Sequence, residues 1–347
     1  MVNGESWIIE PLAMFTNIVH PSFTGLIPGT GAYDGMLYDF VVMDNVPYKR
    51  PIVDLYPQYN ILQPRDGSCE LVYKQIGTTG LRDIETRQIY GATKNCRHQF
   101  YQGALRDWAN DDMETFGSKI TPFFLKACQI DMATNCWFGD VARPNLGNYS
   151  FSVGAYDGIV KWIQKYIALG TIPASQTFTP AATNYRDPAH YQDAYNAIDA
   201  AWKGQSELMQ NWPDENKIMY VDKATLDGYR GWIRSIGTTI PGVEISYAGG
   251  LKTLDSYNGI AIQAVPLWAP VLNSLLGAGY HHMVILTVRQ NLLFATDKEN
   301  ADMAGENGKV ALNIFYWQMD MSFYYQQFML AGTQIALPEF IVFGQSA

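Results

Sequence analysis

The longest run of regular hydrophobic spacing lies in residues 97–138, where Tyr101, Leu105, Trp108, Met113, Phe116, Ile120, Phe123, Ala127, Ile130 and Trp137 recur mostly three or four positions apart. That spacing lines one face of a helix. Within it, Gly117, Ser118, Thr121 and Pro122 spell a stop and a restart, because Gly suits a helix end, Thr an N-cap and Pro a first turn. The pattern predicts a kink, or two helices meeting at 117–122, with Gly139 closing the stretch.

A second helix is expected where Tyr156, Ile159, Ile163 and Ile167 share a face before Gly170. Asp187-Pro188 marks the cap and first turn of a third, with Tyr191, Tyr195, Ile198 and Trp202 on its buried face and Pro213 beyond its end. A strand follows at 217–221, and Asp222 can cap the next helix. Apolar or alternating runs at 259–265, 283–288, 310–318, 323–330 and 339–343 read as strands, and Glu306-Asn307-Gly308-Lys309 reads as a hairpin turn. The order is α+β, with long strands gathered late.

Upstream, residues 1–44 are rich in Gly, Pro and aromatics and predict an arm that packs along other surfaces. Pro47, Pro51 and Pro57 fix extended backbone across 48–60, and strand-like runs at 70–75 and 82–89 flank Gly77-Thr78-Thr79-Gly80, which predicts a long hairpin. Residues 81–89 hold few groups able to fill a core, so the cost of ordering them falls to a neighbouring molecule and the loop should project. No Asp, Glu, Lys or Arg stands between Asp255 and Arg289, but Pro266, Pro270, Asn273, Gly277, Gly279, His281 and His282 interrupt the run. A buried strand, loop and strand fit it better than a membrane span.

Composition narrows the function. A chain of 347 residues allows two domains or one with large insertions. Apolar residues are 48%, charged residues 16% and aromatics 14%, so much of the surface is uncharged and rich in interface-forming rings, which points to an obligate oligomer. A net charge of -9 and a pI near 5.0 exclude a surface built to grip phosphate backbones. Cys69, Cys96, Cys128 and Cys136 form no C-x-x-C pair and read as reduced thiols. Glu5 and Glu10 flank a short apolar run with no basic segment before it, so synthesis in the cytoplasm is expected.

Candidate chemistry is sparse. Asp297, Glu299, Asn300, Asp302 and Glu306 could offer oxygens to calcium but lack EF-hand spacing, and a solvated turn accounts for them. His281 and His282 are adjacent, so in a strand they face opposite ways and do not share an ion. Asp111, Asp112 and Glu114 fit a solvated helix face. The tract Gly29-Thr-Gly-Ala-Tyr-Asp-Gly misses the dinucleotide fingerprint and follows Pro28 rather than a strand, and 305–309 is too short for a phosphate loop. Asn148-Tyr149-Ser150 is a glycosylation sequon with no secretory signal to make it relevant. No catalytic, cofactor or metal residue is assigned, and the chain is read as a non-enzyme.

Two local patterns carry a resemblance. Asp131-Met-Ala-Thr-Asn-Cys-Trp-Phe-Gly-Asp140 ends the long helix and is followed by Gly154-Ala-Tyr-Asp-Gly-Ile-Val-Lys-Trp-Ile163; Lys217-Ile-Met-Tyr-Val-Asp222 runs into a helix before Tyr257-Asn-Gly-Ile-Ala-Ile262. Together with the order of parts over nearly the whole chain, this resembles the major capsid protein of tailed bacteriophages. The resemblance implies an N-terminal arm (1–47), an extended hairpin loop (48–95), a peripheral domain with a long spine helix (96–170 and 296–347) and an axial domain (171–295). It implies a virion subunit that self-assembles into hexamers and pentamers of an icosahedral head around double-stranded DNA, without cofactors, membrane contact or sequence-specific DNA binding. A separate scaffolding protein, a portal and decoration proteins are its implied partners, scaffolding because no long charged helix precedes the arm. No Lys, Asn and Glu trio for self-crosslinking is identified. An encapsulin-like nanocompartment shell is the related alternative, and an aromatic-rich carbohydrate-binding protein or glycosidase the unrelated one.

Overall fold

The computed structural model describes residues 39–43, 46, 48–57, 77–96, 113–143, 152–236, 255–296, 312–317 and 322–346. Most of the expected arm, the run at 70–75, the start of the expected long helix (97–112) and the hairpin turn at 306–309 lie outside them. In chain order the elements are β1 (Val41–Met43), β2 (Lys49–Pro57), β3 (Gly77–Glu85), β4 (Arg87–Cys96), α1 (Met113–Phe138), α2 (Ile159–Ala168), β5 (Thr177–Phe178), α3 (Tyr191–Lys203), α4 (Glu207–Gln210), β6 (Lys217–Asp222), α5 (Lys223–Ile236), β7 (Asp255–Tyr257), β8 (Ile260–Val265), α6 (Trp268–Leu276), β9 (Met283–Val288), β10 (Leu292–Thr296), β11 (Leu312–Trp317), β12 (Ser322–Ile335) and β13 (Ile341–Gln345).

Among the described residues the strands form two larger sheets and a ribbon. The six-stranded sheet has the order β5-β13-β9-β6-β8-β7. Its central strands are apolar on both faces, as strands covered on both sides must be. Ile218, Tyr220, Met283, Ile285, Ile341 and Phe343 point to one cluster, and the alternating Met219, Val221, Val284, Leu286 and Val342 point to the other. The second cluster is closed by α3 and α5, through Ala197, Ile198, Ala201, Leu226, Tyr229 and Ile233. β7 and β8 are joined through Asn258 and Gly259, both at positive φ (48° and 83°), the tight turn that Asn-Gly favours.

The five-stranded sheet is organised by β12. On one edge β4 runs antiparallel along Ser322 to Ala331; on the other, β11 and then β10 lie end to end, with Ala331 paired to both Arg87 and Thr296. β1 completes the sheet beside β10. β2 and β3 form the antiparallel ribbon. Its base is tied down where Thr86 interrupts the β3–β4 run: the Thr86 N–H donates to the Tyr48 carbonyl (2.8 Å) and its hydroxyl to the Val46 carbonyl (2.9 Å). Val46, Ile84, Leu293 and Ala295 bury that base.

The first cluster lies between the two sheets and is filled by the end of α1, by α2 and by α6. Trp137 sits at its centre, fully buried. Its ring meets Phe40, Tyr220 and Trp268 edge-on, with centroids 5.2, 5.1 and 4.9 Å away. These are favourable aromatic geometries, and they connect the segment before β1, the six-stranded sheet, α1 and α6 through one side chain.

Several expectations are corrected. Of the two alternatives at 117–122, the pair of separate helices is overturned, because Gly117 to Pro122 lie inside the continuous helix α1. A proline inside a helix loses one backbone hydrogen bond, and the burial of the following turns from Met132 to Phe138 outweighs that cost. Gly77 to Gly80 are not a turn; they open β3 and pair with Asp54 to Pro57, so the proline-rich segment is the partner strand. From Asp255 to Arg289 the chain forms β7, β8, α6 and β9, and α6 tolerates Pro270 because it is the third residue, where its missing N–H would have no helical partner. The buried stripe of α3 is Ala194, Ala197, Ile198 and Ala201, and Tyr191, Tyr195 and Trp202 flank it partly buried, Tyr195 and Trp202 against the same cluster. The late strands are divided between sheets: β10, β11 and β12 in one, β13 in the other.

Trp137→Ala is expected to cost about 3–5 kcal/mol, the usual loss for a buried large aromatic, whereas Leu169→Ala, at a position 76% exposed, should stay within about 0.5 kcal/mol. Chemical denaturation of the two variants checks the difference.

Candidate functional site

The two motifs of the first pattern fold into one junction. Asn135 begins it: its amide Nδ2 donates to the carbonyls of Asp131 (2.8 Å) and Ser152 (2.9 Å), and its Oδ1 accepts from the Ala155 N–H (3.1 Å). That side chain fastens the returning loop to the last turns of α1. The backbone then closes on itself: Gly139 N–H donates to the Asn135 carbonyl, Asp140 N–H to the Val153 carbonyl (2.7 Å) and Gly158 N–H to the Gly139 carbonyl (2.8 Å). A Cβ at Gly139 would overlap the Tyr156 carbonyl oxygen, and one at Gly158 would overlap backbone atoms of Asn135, Trp137 and Gly139. Gly158 has an ordinary extended φ of -87°, so close approach, not an unusual backbone angle, is what requires glycine there.

Charge finishes the junction. Lys161 reaches back from α2 to Asp140 (2.9 Å), which Arg143 also faces (3.7 Å), and Lys165 pairs with Asp157 (2.6 Å). Asp157 also accepts from the Val141 N–H (3.1 Å), and its carbonyl accepts from the Thr333 hydroxyl of β12. Burial alone would raise the Asp157 carboxyl, but the hydrogen bonds from Lys165 and Val141 and the charges of Lys165 and Lys161 hold it below the ordinary carboxylate range. Tyr156 lies buried with its hydroxyl against Cys136 Sγ (3.2 Å) and Met132 Sδ (3.1 Å). Burial pushes the Cys136 thiol up to about 12 and raises the Tyr156 phenol well above its usual value, so neither group is poised to react.

Among the described residues, the candidate residues of the sequence do not converge. His281 Nε2 meets the Gly277 carbonyl (3.1 Å) at the surface, while His282 is buried against Asp222 and the Thr183 carbonyl, so the adjacent histidines serve different neighbours. Asp222 caps α5, accepting from the Thr225 N–H and hydroxyl. Its pairing with His282, sixty residues on, has no signal in the sequence. Asp111, Asp112, the acidic residues of 297–306, the glycines of 29–35, the sequon 148–150 and Cys69 lie outside the described residues, as does the side chain of Glu114. Burial, then the Asp131 charge, pushes the Cys128 thiol up to about 12. Among the described residues no three His, Cys, Asp or Glu side chains are grouped to hold a metal, and no helix is long and apolar enough to cross a membrane. A groove of about 490 Å³ runs between α1 and β4, lined by Tyr90, Phe124, Cys128, Asp131 and Ala155. What the described geometry builds is a joint and its surfaces.

No family model and no curated protein matches the sequence. Solved structures do. A chain of the satellite phage P4 procapsid including its size determination protein superposes with a TM-score of 0.55 at 13% identity, over 97% of this chain and 92% of that one. Weaker likenesses include the mature capsid of bacteriophage PhiM1 (TM-score 0.46, 12% identity, 89% and 85% covered) and the holo-SrpI encapsulin complex of Synechococcus elongatus PCC 7942 (0.47, 7%, 88% and 84%). The α+β fold is therefore that of the procapsid chain, across nearly its whole length.

Gly158→Ala is expected to destabilise by about 3 kcal/mol, since only backbone can yield to the new methyl, and a lowered thermal midpoint checks it. Asp157 has a depressed value in the folded chain, so its contribution is present above the unfolded carboxyl value of about 3.9 and is lost as pH falls through the folded value. Asp157→Asn should be less stable at neutral pH yet show a shallower loss below about pH 4, read from denaturation curves at several pH values.

Proposed function

We propose that this chain, sharing its fold with a phage procapsid chain, is the repeating subunit of an icosahedral tailed-phage head enclosing double-stranded DNA. The observation that carries the reading is the end-to-end match to that procapsid chain, with neither chain left with a large unmatched part. The composition agrees with it. A chain with only 16% charged and 14% aromatic residues suits repeated contacts between copies, and modest interfaces repeated through a closed symmetric shell become strong together.

In this reading the β2–β3 ribbon is the extended loop. An isolated two-stranded ribbon is marginal in water, and in this reading a neighbouring copy packs along it. The five-stranded sheet with α1 and α2 is the peripheral domain, and the six-stranded sheet with α3, α5 and α6 the axial domain, to which β13 returns. The partners are the chain itself as hexamers and pentamers, a separate scaffolding protein, a portal and decoration proteins. Its place is the virion, after synthesis in the cytoplasm of a host cell. The acidic net charge of -9 leaves DNA enclosed rather than gripped. No catalytic role is assigned.

Electron microscopy of the purified full-length protein is expected to show closed polyhedral shells or sheets of six-fold rings. Discrete monomers or dimers at every concentration would overturn the reading. Particles recovered from cells should protect DNA from nuclease; a protein cargo without DNA would replace the phage head with a nanocompartment.

A further inference from the structure

One end of the six-stranded sheet holds a cluster of buried polar groups that shell formation does not explain. Asp222, the last residue of β6, is fully buried, and His282, just before β9, is 2% exposed. One Asp222 carboxylate oxygen accepts from the Thr225 hydroxyl and the Met283 N–H (3.3 Å). The other accepts from the Thr225 N–H (3.1 Å) and lies 3.2 Å from His282 Nδ1. The opposite ring nitrogen, Nε2, lies 2.8 Å from the Thr183 carbonyl oxygen. Tyr185 stacks on the imidazole with ring centroids 3.7 Å apart and planes 6° apart. Behind the ring, the His282 N–H donates to Ser346 Oγ (2.7 Å) and the Ser346 N–H to the His282 carbonyl (2.9 Å).

A carboxylate and a carbonyl only accept, and a neutral imidazole carries a single N–H. A neutral ring would therefore aim a bare lone pair at one of its two partners. The ring that satisfies both carries a proton on each nitrogen; its charge faces the buried Asp222 carboxylate and lies flat on the Tyr185 face, where a cation is attracted. We propose that His282 is held as the doubly protonated ring and serves as a latch, fastening the strap of residues 179–187 and the C-terminal Ser346 to the end of the sheet, so that loss of a proton frees the strap.

The other groups around the latch agree with this. Asp193 of α3 accepts from the Thr183 hydroxyl and pairs with His190, both at 2.9 Å, and holds the strap from its far side. Arg186 of the strap faces Asp227 of α5 (3.3 Å), which Lys223 also meets (2.9 Å). Burial, then the charges of Asp222 and Asp193, raise the Tyr185 phenol above its ordinary value, so it stays neutral under the ring.

The test uses full-length protein labelled with ¹⁵N at histidine, with His282→Gln assigning the signal by difference. The latch requires a proton on both ring nitrogens of His282 near neutral pH. It also requires hydrogen exchange in 179–187 to accelerate by about tenfold beyond its intrinsic base-catalysed rise between about pH 6 and pH 9, and to be fast throughout in His282→Gln. If the variant does not fold, slow solvent exchange of the ring protons identifies the buried histidine in the wild-type spectrum. A single ring N–H on that residue, or strap exchange that follows the intrinsic rate alone, would overturn the proposal.

Discussion

Everything in this fold turns on how close the end of α1 can come to the start of α2. Trp137 must be fully buried to join the segment before β1, the six-stranded sheet and α6, and it is delivered there by a helix that ends one residue later. The chain must then return past that helix end at backbone contact, which Gly139 and Gly158 allow and any side chain would prevent. Asn135 holds the return in place with three hydrogen bonds, so the approach is specified by polar geometry as well as by packing. Because the contact is backbone against backbone, it cannot relax by rotating a side chain.

That joint decides how the two sheets share a core. Tyr220 and Ile285 of the six-stranded sheet and Phe294, Met329 and Ile335 of the five-stranded sheet belong to one cluster, with the end of α1, α2 and α6 packed between them. A continuous core of this kind joins the two sheets into one body, and the β2–β3 ribbon is buried at its base. The Asp222–His282 cluster lies at one end of the six-stranded sheet and ties the strap and the last residues of the chain to it.

Much of this could be read from residue order. The apolar runs at 217–221, 259–265 and 283–288 are strands, and the cap at Asp187, the helix after Asp222 and the face of Ile159 and Ile163 are where the patterns place them. The misreadings share a cause. Pro122, Pro270 and Gly77 to Gly80 carry strong local preferences that break regular structure, and each sits inside an element because burial or strand pairing outweighs the local cost. On α3 the small residues Ala194, Ala197 and Ala201 are the buried ones, while Tyr195 and Trp202 pack partly buried against the same cluster.

Residue order alone sets the α+β class, the places of most helices and strands, the shortage of charge and the lack of a recognisable catalytic motif, because those follow from side-chain periodicity and composition, which are local quantities. Folding was needed to show which strands share a sheet, that β13 leaves its neighbours for β9, that Asn135 and two glycines make the joint, and that His282 faces Asp222. Those are distances between residues far apart in the chain, set by how the two sheets close on a common core, and no local pattern encodes them.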